Sequence, residues 1–171
     1  MFTRRMLVFA SCLFALGAGI SYLAAAPTRE EAEVERYTKT LKTSKKTDER
    51  VTALKELGKY GAIQVSLVQP AIPEIVRALD DKEARVRAEA AHTIGKIDPE
   101  NKKEIVEKLT RMLKEDKEES VRRGAAAGLA AMGGHSSSAV PALREAFQKA
   151  GKKDGRPYQD AIMAITGKRK N

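Results

Sequence analysis

A repeated segment is the feature of the sequence that most constrains its fold. RVTALKELGKYG, RAEAAHTIGKID and RRGAAAGLAAMG begin at Arg50, Arg87 and Arg122, at offsets of 37 and 35. Repetition at such a period is typical of stacked architectures, in which each unit buries its apolar face against its neighbours. The coinciding apolar columns are Ala53, Ala90 and Ala125; Leu57, Ile94 and Leu129; and Tyr60, Ile97 and Met132.

A second kind of segment lies between these copies. IPEIVRAL, VEKLTRML and VPALREAF begin at Ile72, Val106 and Val140 and share two apolar columns. Both kinds follow the helical period, and no stretch alternates with period two, so the sequence predicts an all-α fold. VERYTKTL at 34–41 fits the second pattern and YQDAIMAI at 158–165 fits the first. We therefore expect about three helix pairs with half-repeat caps at about 30–43 and 157–167.

Capping and turn-forming residues suggest where these helices begin and end. Asp98 followed by Pro99 is typical of an N-cap and first turn, here of a helix running to about Lys114. GGHSSS at 133–138 predicts a loop whose hydroxyls cap a helix. QKAGKKDGRP at 148–157 predicts a flexible connection before the last half repeat.

An aspartate stands six residues before an arginine in two of the copies. The pairs are Asp81 with Arg87 and Asp116 with Arg122, whereas Ser44 precedes Arg50. With the helix-pair period, this resembles the HEAT repeat family in its bacterial short-repeat, phycobilisome-lyase type, over about 30–167. The resemblance implies a short right-handed α-solenoid and a structural ladder: the aspartate binds the turn between helices, and the arginine bridges to it and to the next repeat. The implied ladder residues are Arg50, Asp81, Arg87, Asp116 and Arg122.

Arg85 is the other arginine in this helix, and no arginine aligns with it in the other copies. We interpret it as a solvated surface charge.

The first 26 residues form a separate unit. MFTRR precedes the apolar stretch MLVFASCLFALGAGISYLAAA, which is the layout of a secretory signal. Residues 6–26 could instead remain as a membrane anchor, since 21 helical residues extend about 31 Å. Either alternative predicts export, to the periplasm or cell envelope of a bacterium, with residues 27–171 as the repeat domain. The single cysteine, Cys12, lies in this segment, so the exported part requires no disulfide.

Positive charge is concentrated at the C-terminal end. The formal net charge is +9. Residues 149–171 carry seven basic against two acidic side chains, including the basic tail 168–171, whereas 27–148 carry 23 against 21. This end could bind an anionic envelope surface such as phospholipid headgroups or acidic wall polymer, or an acidic protein, or could simply be solvated.

The sequence offers little for catalysis. His92 and His135 are the only histidines, and neither has metal-ligand partners at a suitable spacing. Ser136–Ser138 beside His135 lack a nucleophile elbow and a third orienting group. We therefore predict no enzymatic activity, no metal and no cofactor.

The resemblance favours an exported, non-catalytic interaction module that binds a protein or peptide along a groove. Two alternatives remain: binding of a polyanion or nucleic acid through basic residues, and an enzyme subunit resembling bilin lyases. The near-neutral repeats and few aromatic residues make nucleic acid a weaker alternative. Membrane contact is expected only through an uncleaved N-terminal segment. The candidate partner-binding residues, on helices of the second kind, are Arg77, Lys108, Arg111 and Arg144.

Overall fold

The predicted all-α solenoid is confirmed. A computed structural model describes residues 26–167, and in this range it contains helices and no strand. Two 3₁₀ helices, Gln69–Ala71 and Gly133–Ala139, lead into the helices that follow them. The α-helices are α1 (Arg29–Thr43), α2 (Thr47–Ile63), α3 (Val65–Val68), α4 (Ile72–Ala78), α5 (Ala84–Ile97), α6 (Lys102–Glu115), α7 (Glu119–Ala131), α8 (Val140–Asp154) and α9 (Arg156–Thr166).

The helices form two layers. Helices α2, α5, α7 and α9 pack on one another in chain order and form the first layer. Helices α1, α3, α4, α6 and α8 form the second layer, and each first-layer helix also packs on neighbours from it. The core lies between the layers and is built from the repeated apolar columns. Fully buried members include Leu57, Ile75, Ile94, Leu109, Leu129 and Leu143.

The first-layer helices α5 and α7 are in backbone contact. A Cβ atom at Gly95 would lie 2.2 Å from the carbonyl oxygen of Gly128, and one at Gly128 would lie 2.2 Å from that of Ala91. At the other end of the contact, a Cβ at Gly124 would lie 2.6 Å from the carbonyl oxygen of Ala88. Small residues are therefore required where these helices cross, since a larger side chain would force the backbones apart.

The prediction that Asp98 begins a helix was wrong. Asp98 instead ends α5: it adopts the left-handed conformation with φ of 50°, and its N–H donates to the carbonyl of Ile94. The following helix begins at Lys102, whose ammonium binds the Asp98 carboxylate at 2.6 Å. Aspartate favours N-caps but also tolerates the left-handed region, so the residue type did not decide between the two ends.

Two predicted loops are largely helical. Residues 133–139 form a 3₁₀ helix in which buried Ser136 donates to the carbonyl of Leu129 at 2.8 Å, so this hydroxyl binds the last turn of α7 and does not cap the N-terminus of α8. The predicted flexible connection at 148–157 is mostly occupied by α8, which extends to Asp154 with an interruption at Gly151, where φ is 74°. The buried hydrogen bond of Ser136 explains why the first segment is ordered as a 3₁₀ helix. The conformational freedom of glycine lets the chain turn at Gly151 and then continue as helix to Asp154.

The predicted signal or anchor, residues 1–26, lies outside the described residues except for Ala26, and so does the basic tail, 168–171. Between residues 26 and 167, no helix is both long and apolar enough to cross a membrane.

Candidate functional site

Arg87 connects its own helix pair to the next one. Its Nε and Nη2 donate to the two carboxylate oxygens of Asp116 at 2.8 and 3.0 Å. Its Nη1 donates to the carbonyl oxygens of Asp81 at 2.9 Å and Lys82 at 3.1 Å. The Arg87 and Asp116 side chains are only 13% and 11% exposed. The arginine therefore holds the turn of its own repeat and the carboxylate of the following repeat together.

Arg50 makes the equivalent connection one repeat earlier. Its Nη2 donates to Asp81 Oδ1 at 3.0 Å, and its Nη1 donates to the carbonyl oxygen of Ser44 at 3.1 Å. We call these two ion pairs, Arg50–Asp81 and Arg87–Asp116, the ladder. The resemblance implied that Arg87 binds both Asp81 and the next repeat. It does so through the backbone carbonyl of Asp81, and the carboxylate that it binds is that of Asp116.

The ladder carboxylates also hold the turns before the first-layer helices. Asp81 Oδ1 accepts from the Glu83 N–H at 2.9 Å, and Asp116 Oδ1 accepts from the Glu118 N–H at 3.0 Å. Partial burial raises the pKa of Asp116, but the hydrogen bonds from Arg87 and from the Glu118 N–H outweigh it, so its pKa lies below the ordinary value. The ladder is thus a structural device: both carboxylate oxygens of Asp116, and Oδ1 of Asp81, bind protein donors.

A second feature is a shallow groove across the first layer, which we call the first-layer surface. It has a volume of about 430 Å³ and crosses three successive first-layer helices. Its floor has small side chains, and charged side chains border it. The lining residues are Val51 and Lys55 from α2; Arg85, Ala88, Glu89 and His92 from α5; and Ser120, Arg123, Gly124 and Ala127 from α7.

Helix spacing indicates which way the stack curves. Helices α5 and α7 are in backbone contact, whereas α6 and α8 in the second layer lie farther apart. A two-layer stack curves toward the layer with the closer spacing, as in other helical solenoids. We infer from this spacing that the first-layer surface lies on the concave side.

Comparisons with known proteins agree with this architecture. Residues 121–149, covering most of α7 and the first part of α8, match the model of the PBS lyase HEAT-like repeat. This segment is similar to one HEAT-like repeat. This match confirms the predicted resemblance to the HEAT repeat family. A search of the curated proteins found no match to the sequence.

Solved structures of two engineered proteins, both structural genomics targets, resemble the HEAT-like fold of this chain. One is 22% identical with a TM-score of 0.54 and the match covers 78% of this chain; the other is 22% identical with a TM-score of 0.56 over 81% of this chain. The match spans 62% of the length of each engineered protein. These likenesses concern the fold.

The predicted partner-binding residues lie on different parts of the HEAT-like stack. Arg77 is exposed, binds Glu74 at 2.7 Å and borders a hollow beside Lys42 and Lys82. Lys108 binds Asp80 at 2.5 Å, and Arg111 is exposed on α6. Arg144 borders a separate apolar hollow, formed with residues of α8 and α9. The structure does not bring these four residues to one groove.

Sequence reasoning missed the first-layer surface, although a signal for it was present. Lys55, His92 and Ala127 occupy one column of the repeat register, and all three line the groove. Arg85 also borders it; the side chain is 69% exposed, as its interpretation as a surface charge requires, and it pairs with Asp48 at 2.8 Å. Burial lowers the pKa of His92 below its ordinary value, with a smaller contribution from Lys96.

The described part of the chain contains no group of three or more histidine, cysteine, aspartate or glutamate side chains that could hold a metal ion. His135 lies 3.4 Å from Lys102 Nζ, measured at its Nε2.

Proposed function

We propose that this chain is an exported, non-catalytic interaction module that binds a protein or peptide along its first-layer surface. The observation that carries the proposal is the groove that crosses α2, α5 and α7 on the concave side of a HEAT-like stack. Extended concave surfaces of this kind are what helical repeat proteins use to bind partners.

The chemistry of the groove fits a peptide segment. Ala88, Gly124 and Ala127 form a low floor, which would let a partner approach the α5 and α7 backbones closely. Lys55 and Glu89 supply charges of both signs at the border. A mixed border of this kind suits a protein surface better than a uniformly negative polymer.

Two of the basic residues near the groove are poorly placed to bind the phosphates of a nucleic acid, because they already form ion pairs. Arg85 is paired with Asp48 at 2.8 Å, and Arg123 is paired with Glu119 at 2.5 Å. Phosphate binding requires cations that are available for replacement of counterions. The groove is therefore proposed as a protein site, whereas polyanion binding would have to use the basic C-terminal end.

Export is the part of the proposal that rests on the sequence. The basic start, the apolar stretch and the small residues at 24–26 support a secretory segment, whether cleaved or retained. The absence of cysteine after Cys12 is compatible with an oxidising compartment.

Site-specific photo-cross-linking in intact source cells tests the proposal. A photoreactive amino acid replaces His92 or Ala127 in the groove and, as matched controls, exposed Lys103 or Arg111 on α6 in the second layer. We expect one envelope protein to be captured from both groove positions and from neither control. Mass spectrometry of the purified chain identifies its N-terminal peptide and so distinguishes cleavage from retention.

Capture of the same protein from α6 as readily as from the groove would overturn the assignment of the surface. Capture of nucleic acid or cytoplasmic proteins alone would overturn export and would favour the basic end as the binding region.

A further inference from the structure

The repeat register identifies a missing carboxylate at the end of the ladder. Helices α5 and α7 begin three residues after Asp81 and Asp116, and α9 begins three residues after Lys153. The backbone supports this register, because the N–H of Tyr158 donates to the carbonyl of Gly155 just as Val121 donates to Glu118. Lys153 thus occupies the place of a ladder aspartate, in a turn where Gly155 is helical and the equivalent Glu118 is extended.

Arg122 is the arginine that such a carboxylate would bind. Its Nη1 donates to the carbonyl oxygens of Asp116 at 2.8 Å and Lys117 at 3.0 Å, which repeats the backbone contacts of Arg87. The part of the chain that the structure describes supplies no carboxylate within 4.0 Å of its guanidinium. Nor do its Nε and Nη2, the atoms that carry the ladder pair in Arg87, bind any described residue.

A hollow of about 390 Å³ lies beside Arg122, between α6, α7 and α8. Leu113, Ala142 and Ala146 give it an apolar wall, and Tyr158 lies buried at its edge. There is therefore room for a small side chain to reach the guanidinium together with a flanking apolar group.

Three of the four acidic residues that line the hollow form close ion pairs elsewhere. Asp116 binds Arg87, Glu119 binds Arg123 at 2.5 Å, and Glu145 binds Lys149 at 2.8 Å. Asp154 lies 3.9 Å from Arg123 Nη2. Lys114, like Arg122, lines the hollow and has no carboxylate within 4.0 Å among residues 26–167. Arg122 and Lys114 are therefore two cations of the hollow without a close carboxylate among the described residues.

We propose that this hollow binds an aspartate or glutamate side chain of a partner protein. The partner carboxylate accepts two hydrogen bonds from Nε and Nη2 of Arg122, as Asp116 does from Arg87 in the preceding repeat. Planar guanidinium–carboxylate pairs of this kind are strong and directional because both donors bind at once. The hollow shares no lining residue with the first-layer surface, so the proposal goes beyond the proposed function and does not depend on it.

The test uses the full-length chain in mild detergent and a blocked peptide probe, Leu-Ala-Asp-Ala-Leu, with the matched peptide in which asparagine replaces aspartate. Nuclear magnetic resonance follows the Arg122 Nε–H signal during titration. We expect saturable binding of the aspartate peptide that shifts this signal, and at least tenfold weaker binding of the asparagine peptide.

Three variants, one of them a control, keep the test independent of folding defects. Arg122→Lys keeps the charge and can still bind the turn carbonyls but loses the bidentate geometry, whereas Arg111→Lys changes an exposed arginine of α6 that does not line the hollow and serves as a matched control. Lys153→Asp leaves Arg122 intact and brings a competing carboxylate to the ladder position. We expect the first and third variants to weaken aspartate-peptide binding about tenfold and the control to leave it unchanged.

Equal binding of the two peptides, no binding at millimolar peptide, or unchanged affinity in both Arg122→Lys and Lys153→Asp would overturn the proposal. Failure of the cross-links at His92 and Ala127 would instead overturn the proposed function. The two failures are distinguishable because the probes address different faces of the stack.

Discussion

The carboxylate of Asp116 accepts two hydrogen bonds from Arg87, a residue 29 positions earlier in the preceding helix pair. Both side chains are largely buried, and the same arginine also binds two carbonyl oxygens of its own turn. Since each repeat contacts only its neighbours, such a pair stabilises one particular interface of the stack. The ladder therefore determines how adjacent repeats are oriented, in addition to the apolar contacts between them.

Arg87→Ala should destabilise the chain by about 3 kcal/mol, because it leaves the buried Asp116 carboxylate without its cation. Arg85→Ala is the matched control from the same helix. Arg85 and its partner Asp48 are 69% and 80% exposed, so this change should cost less than about 0.5 kcal/mol. Urea denaturation of both variants measures the difference, and equal shifts would contradict the ladder role of Arg87.

The ladder also predicts how stability depends on acidity. The pKa of Asp116 is lower in the folded chain than its ordinary value of 3.8, so the unfolded chain binds the proton more tightly. The stability contributed by the ionised carboxylate is present above pH 3.8 and is lost as the pH falls through the folded pKa. Asp116→Asn should lower the melting temperature at neutral pH and flatten its decline in acid. A decline as steep as that of the parent would show that other carboxylates cause it.

The repeat columns were predictable from sequence because their chemistry is periodic. Ala90, Ile94 and Leu129 recur at fixed offsets, and all three are fully buried. The pairing of Arg87 with Asp116 was not predictable in the same way, because sequence spacing placed Asp81 nearer. Only the stacking of α5 on α7 brings the later carboxylate within reach.

The position of the groove could not be predicted from the sequence, for a related reason. Sequence periodicity defines which face of each helix is buried, but it does not tell which layer lies on the concave side. Here the glycine contacts between α5 and α7 decide the curvature, and they assign the groove to the layer that sequence reasoning had passed over. Arg77 and Arg144 share a helix pattern, yet they border different hollows.

The lowered pKa of His92 predicts a second loss of stability in acid, which begins at a higher pH than the one caused by Asp116. Burial lowers its pKa below 6.5, and nearby Lys96 lowers it further against the opposing effect of Glu89. The unfolded chain therefore binds the proton more tightly, so stability is complete above pH 6.5 and falls as the pH decreases through the folded pKa. His92→Gln should remove the part of the decline that begins as the pH falls below 6.5. Melting curves across this range check it, and an undiminished decline would assign the effect to another group.

Gly128→Ala should destabilise the stack even though alanine favours helices over glycine by about 1 kcal/mol. The added methyl would lie 2.2 Å from the carbonyl oxygen of Ala91, a backbone atom that can move only if α5 and α7 separate. Overpacking of this kind costs about 1–3 kcal/mol, which outweighs the gain in helix propensity. Gly58→Ala in α2 is the matched control, because its nearest contact would be the Thr93 methyl at an acceptable 3.4 Å, and it should be neutral or stabilising. Urea denaturation separates the two variants. Similar stability for both would mean that the first-layer helices do not depend on backbone contact, and the inferred curvature toward the first-layer surface would lose its support.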